Sequence, residues 1–430
     1  MKKLSDILNR GKNMCFYIIV AALIGALIGV IDSVFGQVLL HIGQLRTGKM
    51  VWLTLLLPVA GVGIMLLYRQ LSRESLRGMT LVFEAGYGER EKIPKMLVPL
   101  VILATWITHL FGGSAGREGV AVQLGATVAH TVGRKVKLPG GSRIFLVAGM
   151  AAGFAGLFQT PVAATFFAME VLIAGTVLYE ALIPAMVAAF MASGVSHMLG
   201  LEKSFILIQT PISYEASTVW KFVVIGILFG IVGGAFAKGL SLAKKIAADK
   251  IENPLLRIFL GGCVLAVLLL LVHTGRYSGL GTNLISESLN QGTVYSYDWL
   301  LKGLFTIVTL AVGFQGGEVT PLFSIGASLG AVLGMLLGLP PELAAALGYA
   351  AVFGGGTNTL LAPILIGAEI FGTDHILLFV VVCSLAYVCN GNKSIYGAQK
   401  KFSYLMEENQ EDTLMGMDDM NQKPKAEKQH

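Results

Sequence analysis

The sequence predicts an all-α polytopic membrane protein built from broken, tilted helices, and three observations lead there. Hydrophobic residues make up 54% of the 430-residue chain and charged residues 13%, with a mean hydropathy of +0.71. A soluble globular chain carries about 25% charged residues, so most of this one does not face water. Apolar runs follow one another almost without pause from Met14 to Gly391, many too short for a straight crossing. The chain also repeats itself at an offset of about 200 residues.

The segment 1–13 is polar and basic and is expected on the cytoplasmic side. The run Met14–Phe35 that follows is long enough to span and has no small-residue cleavage site behind it. It is therefore expected to remain as the first helix rather than be removed as a signal peptide. Runs at 14–36, 51–68, 178–200 and 219–247 have spanning length. Those at 97–112, 119–133, 143–158, 161–175, 321–338, 343–355 and 360–372 end at Gly or Pro and are short. They fall below the roughly twenty residues of a straight crossing. Non-helical backbone at membrane depth is tolerated only where protein buries it or it lines a cavity. Short, Gly-interrupted segments at matching places in two halves point to a transporter's binding site.

The halves match at three stations. Gly25, Gly29 and Phe35 recur as Gly226, Gly230 and Phe236, an offset of 201. Gly116–Val120 with Gln123-Leu124-Gly125-Ala126 recurs as Gly317–Pro321 with Ser324-Ile325-Gly326-Ala327, again 201. Ala151, Phe154, Gly156, Ala163 and Glu170 recur as Ala350, Phe353, Gly355, Ala362 and Glu369, an offset of 199. This gives a first membrane repeat over 14–200, a connection over 201–218 containing Pro211, a second repeat over 219–402, and a tail over 403–430.

Net charge is +6, although from Glu407 onward seven acids face three lysines. The membrane body is thus basic, which suits anionic lipid headgroups and anionic cargo. The polar tail is expected to be disordered in water. Lys/Arg clusters at 2–12, 69–95, 134–143, 238–257 and 400–401 hint at cytoplasmic faces without fixing the number of crossings, and both termini are expected on that side. Cys15, Cys263, Cys383 and Cys389 lie in apolar runs without metal-ligand spacing. They are expected to be buried thiols, and no metal, cofactor or nucleic acid is expected.

An anion inside a membrane must be held without a full opposite charge, or it would not leave. Helix N-termini do this with unpaired N–H groups and the positive end of the dipole. Glycine lets that backbone approach the ion. Four stretches read as Gly-bearing turns that open helices: Gly78-Met79-Thr80, Gly116–Val120, Gly317–Pro321 and Asn390–Tyr396. Pro321 suits the first helical position. Glu118 stands out, because a carboxylate within a short membrane segment is costly and marks function by default. At such a helix start its side chain can occupy the site as a tethered mimic of the cargo. Protonation cancels the charge and frees it, so one residue can serve as gate and proton carrier. The plainer alternative is a Glu118 paired with Arg117.

These residues resemble the CLC family of chloride channels and chloride/proton antiporters. Gly116-Arg117-Glu118-Gly119-Val120 is similar to its Gly-Arg-Glu-Gly-Pro signature. Gly317–Pro321 resembles its Gly-x-Phe-x-Pro turn, and Ser394-Ile395-Tyr396 the segment with its pore tyrosine. The resemblance, over about 14–402, implies a homodimer of inverted repeats with one pathway per subunit.

The departures point further. Where chloride-type members place Ser in the first turn, this chain reads Gly78-Met79-Thr80-Leu81. The signature's Pro is Val120 and the Phe of the third motif is Val319. The antiporters' inner proton-handling Glu is absent, since Glu170 is followed by Val171, while Glu318 supplies an acid near the permeation site. This combination resembles the fluoride/proton antiporter clade. By that resemblance Glu118 is the gate, and Met79 and Tyr396 line the central site. Thr320 offers a hydroxyl, and Glu318 assists proton transfer or coupling. The helix-start residues Gly78, Gly116, Arg117, Gly119 and Val319 complete the anion-binding set. The implied function is secondary active exchange of fluoride for protons across a prokaryotic plasma membrane, exporting fluoride and conferring fluoride resistance. A chloride/proton antiporter and a passive anion channel are the rivals within transport.

Two rivals from other classes have formal motifs. Gly112-Gly113-Ser114-Ala115-Gly116 with His109 fits a serine hydrolase's G-x-S-x-G, which belongs on a strand-to-helix turn not expected here. Gly43-x4-Gly48-Lys49 ends in Met50 where a phosphate loop needs Ser or Thr.

Overall fold

The computed structural model describes residues 2–402 apart from 137, 139, 203–204, 209 and 211–215, so Pro211 and the acidic tail lie outside the described residues. The first half holds α1 (Lys2–Thr47), α2 (Met50–Leu55), α3 (Leu57–Leu71), α4 (Met79–Tyr87), α5 (Leu97–Leu110), α6 (Glu118–Gly133), α7 (Gly141–Phe158), α8 (Pro161–Glu170) and α9 (Leu182–Met198). The second holds α10 (Ala216–Lys250), α11 (Pro254–Leu271), α12 (Thr282–Leu289), α13 (Asp298–Val312), α14 (Val319–Leu337), α15 (Pro341–Thr357), α16 (Leu361–Phe371) and α17 (Ile376–Cys389). Two dipeptide strands, β1 (Ile173–Ala174) and β2 (Lys400–Lys401), pair in parallel.

Six helical stretches among the described residues are long and apolar enough to cross a membrane. Two of them, Gly141–Phe158 and Val319–Leu337, correct the expectation of short segments there. A third, Pro254–Leu271, was not among the expected spans. It opens on a strong start signal, with Asn253 accepting the Leu255 N–H at 3.0 Å and Pro254 at the first position. The expected span at 51–68 is broken at Leu56, between α2 and α3, with Pro58 in the first turn of α3. Leu23, Leu27, Ile231, Val264, Leu271, Leu336 and Val388 are all exposed on the chain's exterior. Such an apolar surface belongs against lipid or a partner helix.

Inside this belt sit two packed helix pairs, α6 with α7 and α14 with α15. A Cβ on Gly125 would come within 2.0 Å of the Gly149 carbonyl oxygen, and one on Gly326 within 2.0 Å of that of Gly348. Only glycine allows backbones so close. The two contacts are mates under the repeat. So are those of Gly29 with Ala192 and Gly230 with Ala386, which pack α1 on α9 and α10 on α17.

The third station is reciprocal. Glu170, at the end of α8, accepts the N–H groups of Leu360, Leu361 and Ala362 at the start of α16. Glu369, in α16, accepts those of Val162 and Ala163 at the start of α8. Each carboxylate caps the other repeat's helix, satisfying donors that lipid cannot. Glu170→Ala is therefore expected to destabilise the protein by about 1–3 kcal/mol. A lowered melting temperature of the detergent-solubilised Glu170→Ala variant, measured against the parent, is the expected reading.

Cys383 is buried as expected, whereas Cys263 and Cys389 are half-buried and Cys15 is exposed.

Candidate functional site

The repeats meet at their equivalent glycines. Gly116 and Gly317 face each other in an antiparallel bridge, Gly116 N–H donating to the Gly317 carbonyl at 2.5 Å and the reverse at 2.8 Å. Repeat-mates paired antiparallel in this way define a local two-fold axis. Immediately after the bridge each chain turns into a helix, α6 from Glu118 and α14 from Val319. Two helix N-termini thus open from one point, each with a first turn of unpaired donors. Pro321 is the third residue of α14 rather than the first, still within the turn whose N–H groups lack helical partners.

The other edge of the Gly112–Gly116 loop is tied down from the second half. Ala115 N–H donates to the Gly279 carbonyl at 3.2 Å and Gly279 N–H to that of Gly113 at 3.0 Å. Ser114 Oγ meets Thr306 Oγ1 at 2.9 Å and accepts from the Lys302 ammonium at 2.9 Å. Lys302 is fully buried and spends its remaining donors on the carbonyls of Tyr277 and Gly279, 3.2 and 2.7 Å away. This removes the hydrolase reading, since both His109 ring nitrogens face backbone carbonyls, of Thr105 and Ala115, and not Ser114. The phosphate-loop reading goes too, because Gly43 lies inside α1.

Glu118 is 1% exposed. Its Oε2 accepts a hydrogen bond from Thr320 Oγ1, in the first turn of the facing α14. The pairing with Arg117 also exists, Nε lying 3.5 Å from Oε1, but no hydrogen bond is made by that nitrogen. The plainer alternative is thus part of the geometry, with the firmer contact made across the repeat to Thr320. If the Glu118–Thr320 bond holds the gate in place, Thr320→Val should speed its release and loosen coupling. A hydrogen bond to a charged group contributes about 1.5–3 kcal/mol, so roughly a tenfold change in exchange rate is expected in a vesicle flux assay.

The remaining residues line a cavity of 530 Å³ whose wall includes Gly78, Met79, Gln123, Lys244, Glu318 and Tyr396. Gly78 precedes α4 at φ +51° and ψ −120°, a conformation reserved for glycine. Glu318 stands at the N-cap position of α14 and pairs with Lys244 Nζ at 3.6 Å. Tyr396 is 6% exposed and packs on Phe83 and Phe167, and its hydroxyl is buried without a hydrogen-bond partner. Gln123 Oε1 is likewise buried and unpartnered, 3.1 Å from where a Cβ on Gly78 would stand.

The expected site residues thus fall into two adjoining groups. Gly78, Met79, Glu318 and Tyr396 face the cavity. Gly116, Arg117, Glu118, Gly119, Val319 and Thr320 form the seam behind it, joined where Glu318 Oε2 approaches Gly119. The fourth stretch differs from expectation: Asn390–Tyr396 follows α17 and continues without a helix as far as Lys401. Gly391, at φ +67°, ends α17 instead of opening a new helix. Gln123, Lys244 and Lys302 carried no assigned role in the sequence. A lone lysine within the apolar run of α13 is the signal that would have found Lys302.

Fold and site define a polytopic helical protein with paired helix N-termini meeting at its centre, the architecture of an ion-conducting membrane protein. The voltage gated chloride channel family model matches residues 60–391, and the chain belongs to that family. It is 36% identical over 391 residues to a chloride/fluoride channel protein of Pseudomonas syringae pv. tomato, covering 89% of this chain and 86% of that protein. An H(+)/Cl(-) exchange transporter ClcA of Vibrio vulnificus is 24% identical over 430 residues, 91% of each chain. Among solved structures, a CLC-type fluoride/proton antiporter superposes with a TM-score of 0.88 at 50% identity, over 90% of this chain and 98% of its own. A slow cyanobacterial Cl-/H+ antiporter shares the fold, with a TM-score of 0.75 at 20% identity.

Proposed function

We propose that this protein is a secondary active transporter that exchanges fluoride for protons, with Glu118 as its protonatable gate. The observation that carries the reading is the Glu118 carboxylate, buried at the α6 N-terminus and bonded by Thr320 from the facing α14. Its likeness to a solved fluoride/proton antiporter at 50% identity supports the choice of cargo.

Ionised Glu118 occupies the position an anion would take, held by the N-terminal donors of α6 and the Thr320 hydroxyl. When it takes up a proton, the charge holding it there is cancelled and the side chain can leave. Fluoride then enters in its place beside the Gly116 bridge, against Arg117, Gly119, Val319 and Thr320 on one side and Gly78, Met79 and Tyr396 on the other. Fluoride is small and strongly hydrated, so hydroxyl and backbone N–H groups must replace its water. Glu318, between the two groups of residues, receives the proton or sets the coupling.

Orientation follows from charge. Arg77 and Arg90 pair with Glu84, Arg134 with Glu91, and Lys400 with Glu89, so several basic clusters share one face. Arg77, Lys244 and Arg257 line the cavity. By the positive-inside rule that face is cytoplasmic, and the cavity draws fluoride from the cytoplasm for export across a prokaryotic plasma membrane, protecting the cell from fluoride. Both termini lie on that side, the repeats run over 14–200 and 219–402 with the connection at 201–218 between them, and two copies associate as a homodimer in anionic lipid.

The reading is tested by loading proteoliposomes with fluoride or chloride and timing anion efflux with ion-selective electrodes. Fluoride leaving much faster than chloride is the expected result. Equal rates would favour the broader alternative, a chloride/proton antiporter or a passive anion channel, which the name of the 36% identical relative also suggests.

A further inference from the structure

The cavity wall contains one ion pair whose two members stand in different surroundings. Glu318 is held at the start of α14, its side chain 16% exposed, while Lys244 reaches in from α10 with 47% of its side chain exposed. Their separation of 3.6 Å exceeds the 2.7–2.9 Å of a tight charge-assisted hydrogen bond. The ammonium therefore keeps donors free toward the cavity. Of the other cations of the wall, Arg77 is tied to Glu84, while Arg257 makes one long bond, to the Ile251 carbonyl at 3.5 Å. The buried Arg257 Nε has no hydrogen-bond partner among the described residues, but no carboxylate lies beside it to share it. Two further polar groups face the same space without partners, the Tyr396 hydroxyl and Gln123 Oε1.

We propose that Lys244 is a shared counter-ion, held by Glu318 when that carboxylate is charged and by the incoming anion when it is not. This rests on the reading of the chain as a fluoride/proton exchanger. The groups facing Glu318 are Lys244 from α10, Tyr396 from the segment after α17, and Gly119 from α6, with Glu118 and Arg117 in the same turn. While Glu318 is ionised, its charge repels an anion and occupies the nearest ammonium. A proton arriving on Glu318 removes the repulsion and releases Lys244 in one event. Anion loading at the cavity is thereby linked to the protonation of a second acid, independently of the gate. Lys244 acts here as a positioning and specificity residue, selecting for a small anion that fits between an ammonium and the Tyr396 hydroxyl.

The test measures fluoride binding by isothermal calorimetry in detergent, so that it stands even for variants that do not transport. Lys244→Gln is compared with Lys244→Arg, each made alone and in a Glu318→Gln background. A lysine that only props Glu318 loses its effect once Glu318 is gone. A shared counter-ion does not. Lys244→Gln is expected to weaken fluoride binding about tenfold in the Glu318→Gln background, with Lys244→Arg within about twofold of its parent. Elution of each variant at the parent's position on size exclusion guards against misfolding of this half-exposed site. Unchanged affinity for Lys244→Gln in the Glu318→Gln background, whatever its effect alone, with the parent still exchanging fluoride for protons, overturns the inference and leaves the function standing. A parent that neither binds nor moves fluoride overturns both.

Discussion

Glu118→Gln is expected to abolish fluoride-coupled proton exchange. The amide has the size and shape of the carboxylate and can still accept from Thr320, so the fold around the Gly116–Gly317 bridge should persist. What it lacks is a charge to hold it at the α6 N-terminus and a site that titrates. Proton uptake driven by fluoride should fall by roughly two orders of magnitude or more, the range over which a single proton-transfer group acts. Any anion leak that remains should carry no protons with it. Undiminished proton-coupled turnover in this variant would refute the gate assignment.

The second large effect is expected from Glu318→Gln. Its carboxylate stands at the start of α14, beside Gly119 on one side and Lys244 on the other. With Val171 where related antiporters carry an inner acid, Glu318 is the acid between the buried gate and the cavity. Removing it should cut protons moved per fluoride by about tenfold or more, while anion movement continues at a measurable rate. That separation distinguishes it from Glu118→Gln, where both cargoes lose their gate. A proton-to-fluoride ratio unchanged in Glu318→Gln would remove this residue from the pathway.

Much of this was legible in the sequence, for physical reasons that differ by residue. Glu118 and Glu318 were visible because ionisable groups at membrane depth are rare and must be explained. The repeat was visible because close helix packing admits nothing but glycine at fixed positions, and Gly125 and Gly326 obey that constraint in both halves. The reciprocal caps of Glu170 and Glu369 then turned a pattern of letters into contacts.

Other features were hidden. Lys244 sits in a basic stretch near the end of α10, where a lysine ordinarily has no partner to announce it. Its importance depends on Glu318, more than seventy residues away in sequence. Asn390-Gly391 reads equally as the start of one helix or the end of another, and the left-handed glycine decided for the end of α17. Lipid-facing and interior positions are both apolar, so Cys15 and Cys383 could not be told apart. Helix lengths erred in both directions, because a glycine inside α7 or α14 resembles a terminus while Pro58 breaks an otherwise continuous run.

Fluoride and protons are expected to move through this chain in obligatory exchange. The most direct measurement places purified protein in liposomes with high internal fluoride, no proton gradient, and the membrane potential clamped at zero by valinomycin and equal potassium. External pH and external fluoride are then followed together. Fluoride running out should pull protons in, so the outside becomes alkaline in step with fluoride's appearance, and Glu118→Gln should show no such alkalinisation. Fluoride efflux with a flat pH trace in the parent protein would contradict the account.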